Sequence, residues 1–199
     1  MNNYKEEFVR SHWEQSAKEG KAWSAVRAGW TKEECKNRID DTISSKLNYE
    51  ENDTVLDLGC GIGYTCKMVA PQVRKYIGVD YSSEMIKTAS EFNNEFKNAE
   101  FVVNDGKSIP FEDNYFDVIY SEQVFQHMNE NDSYLYFQEV LRTIKPDGSF
   151  ILQIPQFGRP AANGVGMTKW ELNKFFNETD ILEGGTHYYY IKHGNKIKS

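Results

Sequence analysis

Segment 55–63, with the sequence VLDLGCGIG, constrains the fold of this chain more than any other stretch. A short, mainly apolar run is followed by glycines that alternate at positions 59, 61 and 63. Glycine lets the backbone turn sharply and lets a ligand approach the main chain. A helix that starts after such a turn offers unpaired N–H groups. The segment therefore predicts a buried strand, a ligand-binding turn and a helix.

The alternation of strands and helices continues along the chain. Apolar runs predict strands at 54–59, 75–80, 100–104, 116–121 and 149–154, with helices at 64–70, 82–93 and 129–145. The last of these helices has apolar residues that predict one broad buried face: Tyr134, Leu135, Phe137, Val140, Leu141 and Ile144.

The C-terminal part predicts a turn, a further helix and a hairpin. Residues 146–148 (Pro-Asp-Gly) are typical of a turn, and Thr168 and Glu171 have the spacing of a capping box that starts a helix to about residue 177. Strands near 181–183 and 187–192 flank a Gly-Gly pair. Together the pattern predicts an α/β fold: a Rossmann-like, seven-stranded, mainly parallel sheet with helices on both faces.

Three aspartates stand at or near the ends of successive predicted strands: Asp57, Asp80 and Asp105. In an open α/β sheet the ligand lies beyond the carboxyl ends of the strands. An acid at the end of the second strand suits two ribose hydroxyls, and one at the end of the third suits an exocyclic amine such as that of adenine. The alternative is that these acids cap helices or turns.

The ligand predicted for this edge is a cationic adenosine compound and not a dinucleotide. The dinucleotide fingerprint needs a third glycine at position 64, where this chain has Tyr64. Asp57 would also repel a diphosphate, whereas it would attract a positively charged ligand.

Residues 54–154 resemble a class I S-adenosylmethionine-dependent methyltransferase of the small-molecule type, similar to the ubiquinone/menaquinone methyltransferase group. The matching motifs are VLDLGCGIG, YIGVDYSSEMIKTA, FVVNDGKSIPF, FDVIYSEQVFQHM and LRTIKPDGSFIL. The resemblance implies S-adenosylmethionine as cofactor, S-adenosylhomocysteine as product, and an antiparallel seventh strand inserted beside the fifth. It assigns the methionine part to Gly59, Gly61 and Gly63, the ribose to Asp80 and the adenine amine to Asp105. Tyr81 and Gly106 would line the same pocket.

The segment after the fourth strand carries the candidate catalytic residue, His127. An unperturbed imidazole titrates near pH 6.5, which suits a general base that removes a proton from an attacking hydroxyl. The alternative is that His127 caps a helix or orients a loop. Glu122 is predicted to hold the cofactor or the backbone. The Asn/Asp-Pro-Pro-aromatic stretch of methyltransferases that act on nucleic-acid bases is absent here, because residues 121–124 are Ser-Glu-Gln-Val.

Substrate specificity is expected outside the cofactor motifs. Residues 1–50 are predicted to form a helical lid or extension on a methyltransferase domain at 51–199, and loop 155–167 has the composition of a flexible cover. Candidate substrate residues are Arg27, Trp30, Gln126 and Arg159. For each arginine the alternative is a solvated surface charge.

Composition excludes several other classes of function. The formal net charge is −7, which disfavours nucleic-acid binding. Three cysteines without a CxxC spacing predict neither a disulfide framework nor a metal site, and they suit the reducing cytoplasm. No run approaches 18 apolar residues, so we expect no membrane span. The oligomeric state stays open.

The sequence therefore predicts an enzyme that methylates a small metabolite, at an oxygen atom, on an anionic or nucleotide- or sugar-linked intermediate. An alternative from another class is a catalytically silent S-adenosylmethionine-binding protein with a regulatory or scaffold role. An NAD-dependent oxidoreductase is disfavoured by Tyr64.

Overall fold

The computed structural model describes residues 3–19, 21, 46–156, 166–184 and 188–196. Within these residues, seven strands form one sheet in the order β3-β2-β1-β4-β5-β7-β6. The strands are β1 (Thr54–Leu58), β2 (Lys75–Asp80), β3 (Ala99–Val103), β4 (Phe116–Ser121), β5 (Ile144–Pro155), β6 (Ile181–Gly184) and β7 (Tyr188–His193). The first five strands pair in parallel, which confirms the predicted Rossmann-like α/β architecture.

Three of the described helices begin at a side-chain cap. They are α1 (Asn3–Lys18), α2 (Cys66–Val69), α3 (Ser83–Phe92), α4 (Glu130–Thr143) and α5 (Lys169–Leu172), with 3₁₀ turns at Ala70–Gln72, Phe125–His127 and Glu178–Asp180. Ser82 caps α3 and Asn129 caps α4, each through a side-chain oxygen that accepts a backbone N–H. The predicted capping box of Thr168 and Glu171 is present at the start of α5.

Helices cover both faces of the sheet. Successive residues of a strand point to opposite faces, so each face has its own apolar cluster. On β1, Leu56 and Leu58 belong to one apolar cluster, with Phe137 and Val140 of α4. Val55 belongs to a second cluster on the other face, with Cys66 and Val69 of α2. The predicted two-sided packing is therefore confirmed.

The C-terminal hairpin completes the sheet as the resemblance implied. β7 pairs antiparallel with β5, with Pro155 opposite Tyr188 and Phe150 opposite His193. β6 then pairs antiparallel with β7 and forms the edge of the sheet. The seventh strand in chain order is thus inserted between the fifth and the sixth.

Three local predictions differ from the structure. Residues 146–148 do not separate the helix from the strand, because they form a bulge within β5. Phe116 and Val118 are two positions apart on β4, but their partners Ile144 and Ser149 are five positions apart on β5. The helix α5 ends at Leu172 instead of about residue 177. The predicted apolar face of α4 is wrong for Leu135 and Leu141, which are exposed.

Helix α1 is the part of the N-terminal region that the structure describes at length. The predicted further helices of residues 1–50 fall mainly on 22–45, which lie outside the described residues. No helix among the described residues combines the length and the apolar character that crossing a membrane requires.

Candidate functional site

The glycine turn lies at the carboxyl end of β1, between that strand and α2. Gly59, Gly61 and Gly63 have φ angles of +75°, +53° and +63°, a region that favours glycine. A Cβ atom at Gly59 would lie 2.2 Å from Cγ2 of Val124. The N–H groups of Gly59 and Cys60 donate to the carbonyl of Val79 on β2. Conformation and close packing therefore both require glycine at position 59.

Asp80 ties the end of β2 to this turn. Its Oδ2 accepts the N–H of Gly61 at 2.9 Å, and its Oδ1 accepts the N–H of Ser82 at 2.9 Å. Burial raises the pKa of Asp80 to about 6, although these backbone donors favour the ionised form. A carboxylate oxygen can accept more than one hydrogen bond, so each oxygen keeps capacity for a ligand hydroxyl.

Asp57 lies beneath the turn in a network of hydroxyl groups. Its Oδ2 accepts the hydroxyls of Thr65 and Tyr76, both at 2.7 Å, and Tyr120 contacts the Thr65 hydroxyl at 2.9 Å. Burial raises the pKa of Asp57 to about 6 against these donors. Because Asp57 precedes the turn and Thr65 follows it, their hydrogen bond joins the two ends of the turn. The described contacts of Asp57 are thus with the protein itself, and its predicted attraction for a cationic ligand stays a prediction.

This hydroxyl network was not predicted from the sequence. The only signal was the presence of tyrosines inside two otherwise apolar strands, KYIGVD and FDVIYS. Both hydroxyls are buried, and burial raises the pKa values of Tyr76 and Tyr120 further above their usual range. They therefore act as neutral donors and acceptors.

Asp105 follows β3 and organises its own loop. Its Oδ1 accepts the N–H groups of Lys107 and Ser108, at 2.8 and 2.7 Å, and its Oδ2 accepts the Ser108 hydroxyl at 3.0 Å. Partial burial opposes ionisation, but these donors outweigh it and lower the pKa of Asp105. A Cβ atom at Gly106, whose φ is +80°, would lie 3.6 Å from Cβ of Tyr81. The structure therefore brings Tyr81 and Gly106 together beside Asp105, at the same edge as Asp80.

A strained backbone residue follows β4 at this edge. Gln123 has a φ of +59°, and its N–H donates to Oε1 of Gln153 at 2.9 Å. Such conformations in residues other than glycine are concentrated at functional sites. The preceding residue, Glu122, accepts a long hydrogen bond of 3.5 Å from the hydroxyl of Tyr64. With Val124 packed on Gly59, this segment is in contact with the glycine turn.

His127 lies in a partly buried environment in the 3₁₀ turn that follows. Its Nε2 is 3.1 Å from Nε2 of Gln126, whose Oε1 accepts the hydroxyl of Tyr188 at 2.8 Å. The Trp13 ring of α1 packs against the imidazole in an edge-to-face arrangement, with ring centroids 5.1 Å apart. Burial, with a smaller contribution from His12, lowers the pKa of His127 to about 4. The imidazole is therefore neutral at neutral pH.

Helix α1 lies against the start of α3 and the glycine turn. Glu14 accepts the N–H of Ser83 at 2.9 Å and the N–H of Glu84 at 3.3 Å, so a carboxylate from α1 caps α3. Apolar residues of α1 also pack on a small buried cluster that includes two residues of the turn region. That contact joins Trp13 and Ala17 to Ile62, Tyr64 and Met85.

The structure thus brings together most of the predicted site residues at one edge of the sheet. The predicted substrate residue Gln126 lies beside His127. Arg27, Trp30 and Arg159 lie outside the described residues. Tyr188, which contacts Gln126, was not predicted near this edge, because it lies 62 positions from Gln126 and belongs to an aromatic run typical of sheet packing.

A glycine turn with acids at three successive strand ends is typical of α/β domains that bind nucleosides and nucleotides. Residues 56–152 match the family model described as a methyltransferase domain. This match and the relatives described next support a class I S-adenosylmethionine-dependent methyltransferase domain at these residues.

Two curated relatives illustrate this similarity. The chain is 38% identical over 100 residues to the uncharacterized methyltransferase YcgJ of Bacillus subtilis, covering 49% of this chain and 39% of that protein. It is 33% identical over 119 residues to the 2-methyl-6-phytyl-1,4-hydroquinone methyltransferase of Synechocystis sp., covering 59% of this chain and 36% of that protein. The chain thus spans less than half the length of these relatives.

A solved structure has the same fold. Phosphoethanolamine N-methyltransferase 1 of Haemonchus contortus, in complex with phosphoethanolamine and S-adenosylhomocysteine, superposes with a TM-score of 0.70. The sequence identity is 16%, and the match covers 80% of this chain and 34% of that chain. At this identity the comparison concerns the fold alone.

Proposed function

We propose that this chain transfers a methyl group from S-adenosylmethionine to a small metabolite. The observation that carries the proposal is the partly buried Asp80 carboxylate, which accepts the N–H of Gly61 at the glycine turn. Burial of an ionisable group in this position costs free energy, and a ligand whose hydroxyls donate to the carboxylate would offset that cost. The residues present therefore fit an adenosyl ligand.

In this proposal the ligand extends along the carboxyl ends of β1, β2 and β3. Asp80 accepts the ribose hydroxyls, Asp105 receives the adenine amine, and the glycine turn holds the methionine part. Asp57 contributes negative charge below the turn and fixes its ends. The remaining residues that we assign to the cofactor site are Tyr81, Gly106 and Glu122.

When bound, S-adenosylmethionine supplies a methyl group that is already activated by its sulfonium. The residues of the chain then have two tasks, which are to align the acceptor with the methyl carbon and to exclude water. Positioning of this kind supplies as much as about 7–11 kcal/mol in well-aligned reactions. Helix α1 suits the second task, because Trp13 contacts both the glycine-turn cluster and His127. We therefore propose residues 1–50 as the cover of a domain at 51–199.

We infer that the acceptor is an oxygen atom with an acidic proton, as in a phenol, a hydroquinone or a carboxylic acid. A base with a pKa of about 4 removes a proton poorly from an aliphatic alcohol, and burial gives His127 such a value. An acceptor that ionises readily needs little help from the protein. The predicted oxygen acceptor and anionic substrate are thus retained. His127 is assigned a role in positioning the acceptor instead of the predicted role as general base.

The first experiment is calorimetric titration of the full chain with S-adenosylhomocysteine. We expect saturable binding, and a loss of at least about tenfold in affinity for Asp80→Asn, which keeps the shape of the side chain but removes its charge. Asp147→Asn is the matched control, because Asp147 is exposed on the bulge of β5. No binding by the unmodified chain would contradict the proposed function.

The second experiment detects turnover. The chain is incubated with S-adenosylmethionine carrying a labelled methyl group and with fractionated pools of phenolic and carboxylic metabolites. Transfer of label to a small molecule supports the enzyme. Binding of cofactor without transfer to any pool favours the alternative function, a silent regulatory or scaffold protein.

A further inference from the structure

Two distant parts of the sequence form a continuous polar contact, in which Tyr188 meets the neighbouring residues Gln126 and His127. The hydroxyl of Tyr188 on β7 donates to Oε1 of Gln126 at 2.8 Å. The Nε2 atom of Gln126 lies 3.1 Å from Nε2 of His127. Gln156 also donates to the carbonyl oxygen of Tyr188, at 3.1 Å, which fixes the start of β7 where it faces the end of β5.

We propose that Tyr188 and Gln126 are positioning residues that hold His127 in the tautomer protonated at Nδ1, and that Nδ1–H donates a hydrogen bond to the methyl-accepting oxygen. The identity of that acceptor rests on the proposed function. The tautomer does not, because it follows from the orientation of the Gln126 amide between Tyr188 and His127.

The amide of Gln126 links the hydrogen bond from Tyr188 to the position of the proton on His127. A carboxamide accepts at its oxygen and donates at its nitrogen. Because the Tyr188 hydroxyl donates to the oxygen, the NH₂ end faces the imidazole. An NH₂ group only donates, so Nε2 of His127 must offer its lone pair. In a neutral imidazole the single proton is then on Nδ1.

The surroundings of the ring favour the neutral form. His127 is partly buried beneath Trp13, and the titratable group that faces it from α1 is His12. Burial disfavours the imidazolium, and a second positive charge at His12 would disfavour it further. The ring is thus available as a neutral donor with one N–H.

The Nδ1 atom of His127 is buried, and no described residue forms a hydrogen bond with it. A buried donor without a partner is unfavourable. An acceptor oxygen of the substrate at this point would remove that cost. The same geometry argues against His127 as a general base, because one ring nitrogen accepts from Gln126 and the other carries the proton.

The test is long-range proton–nitrogen NMR of the full chain at pH 7, labelled with ¹⁵N-histidine and without substrate. His127→Asn identifies the signals of His127. We expect Nδ1 to be protonated and Nε2 to be unprotonated. A wild-type spectrum with the proton on Nε2 would overturn the proposal.

Two variants test the hydrogen-bonded contact from Tyr188 through Gln126 to His127. Tyr188→Phe frees the amide to rotate, so the preference for the Nδ1 proton should be lost. Tyr190→Phe is the matched control, because it removes a hydroxyl two residues along the same face of β7. Gln126→Glu replaces the donor by a carboxylate that only accepts, so a proton should move to Nε2. If Tyr188→Phe keeps the wild-type pattern, the positioning role is refuted.

An activity measurement separates the two proposals. If a methyl acceptor is found, Tyr188→Phe should lower kcat by about tenfold, the size expected for one lost hydrogen bond, with cofactor affinity unchanged. If no acceptor is found, the proposed function fails while the tautomer measurement still stands. Circular dichroism of each variant checks that the fold is retained.

Discussion

Asp57→Asn tests whether the buried acid beneath the glycine turn carries a cost in free energy. Burial raises the pKa of Asp57 from its ordinary value of 3.8 to about 6. The folded chain therefore binds more protons than the unfolded chain between these values, and the contribution of Asp57 to stability falls as pH rises through this window. Asparagine does not titrate, so the stability of the variant does not fall for this reason as pH rises.

The size of the effect follows from the shift in pKa. One pKa unit corresponds to about 1.4 kcal/mol, so a shift of about two units gives roughly 2–3 kcal/mol between pH 4 and pH 7. The weaker hydrogen bonds from Thr65 and Tyr76 to an amide add a difference that does not vary with pH. Asp57→Asn should therefore gain about 2–3 kcal/mol in unfolding free energy relative to wild type as pH rises over this range.

Urea unfolding of both proteins at pH 4, 5, 6 and 7 measures this change. Other titrating groups, including Asp80, are present in both chains, so their contributions cancel in the difference. Asp147→Asn removes an exposed carboxylate and controls for the general effect of net charge. A difference between wild type and Asp57→Asn that stays constant with pH would refute the argument.

Three further outcomes are expected. Gly59→Ala should lower the unfolding free energy by about 1–3 kcal/mol, because it combines a positive φ with a contact against Val124, and adding Val124→Ala should restore part of that loss in urea titrations. Glu14→Ala removes the cap that α1 provides to α3 and should cost about 0.5–2 kcal/mol in the same assay; an unchanged midpoint would refute the docking of α1. Lowering the pH from 7 to 5 should weaken binding of S-adenosylhomocysteine in calorimetry, because Asp80, with a pKa of about 6, becomes protonated; Asp80→Asn should lose this contribution.

Much of the fold could be predicted from local patterns. The strands β2 and β4 lie where apolar runs placed them, and the capping box of Thr168 and Glu171 starts α5 as predicted. These signals are local because a strand, a cap or a glycine turn depends on neighbours within a few residues. The acids at the strand ends were found for the same reason, since the ends of strands are visible in the sequence.

Other features depend on which side of an element meets the core. Leu135 and Leu141 of α4 are apolar but exposed, whereas Phe137 and Val140 are buried. Each residue turns an α-helix by about 100°, so Leu135 lies roughly 200° around the axis from Phe137 and Leu141 roughly 100° from Val140. Hydrophobicity alone does not tell which of two apolar faces packs on the sheet.

The sequence by itself determined the α/β class, the glycine turn and the edge at which a cofactor would bind, because these follow from local periodicity and from residues needed at a turn. Only the tertiary structure decided what the polar groups at that edge contact. It joined Asp57 to hydroxyls of Thr65 and Tyr76 and it brought Tyr188 to Gln126. Such hydrogen bonds join residues far apart in the chain, and their partners are selected by strand order and side-chain direction, which no local pattern contains.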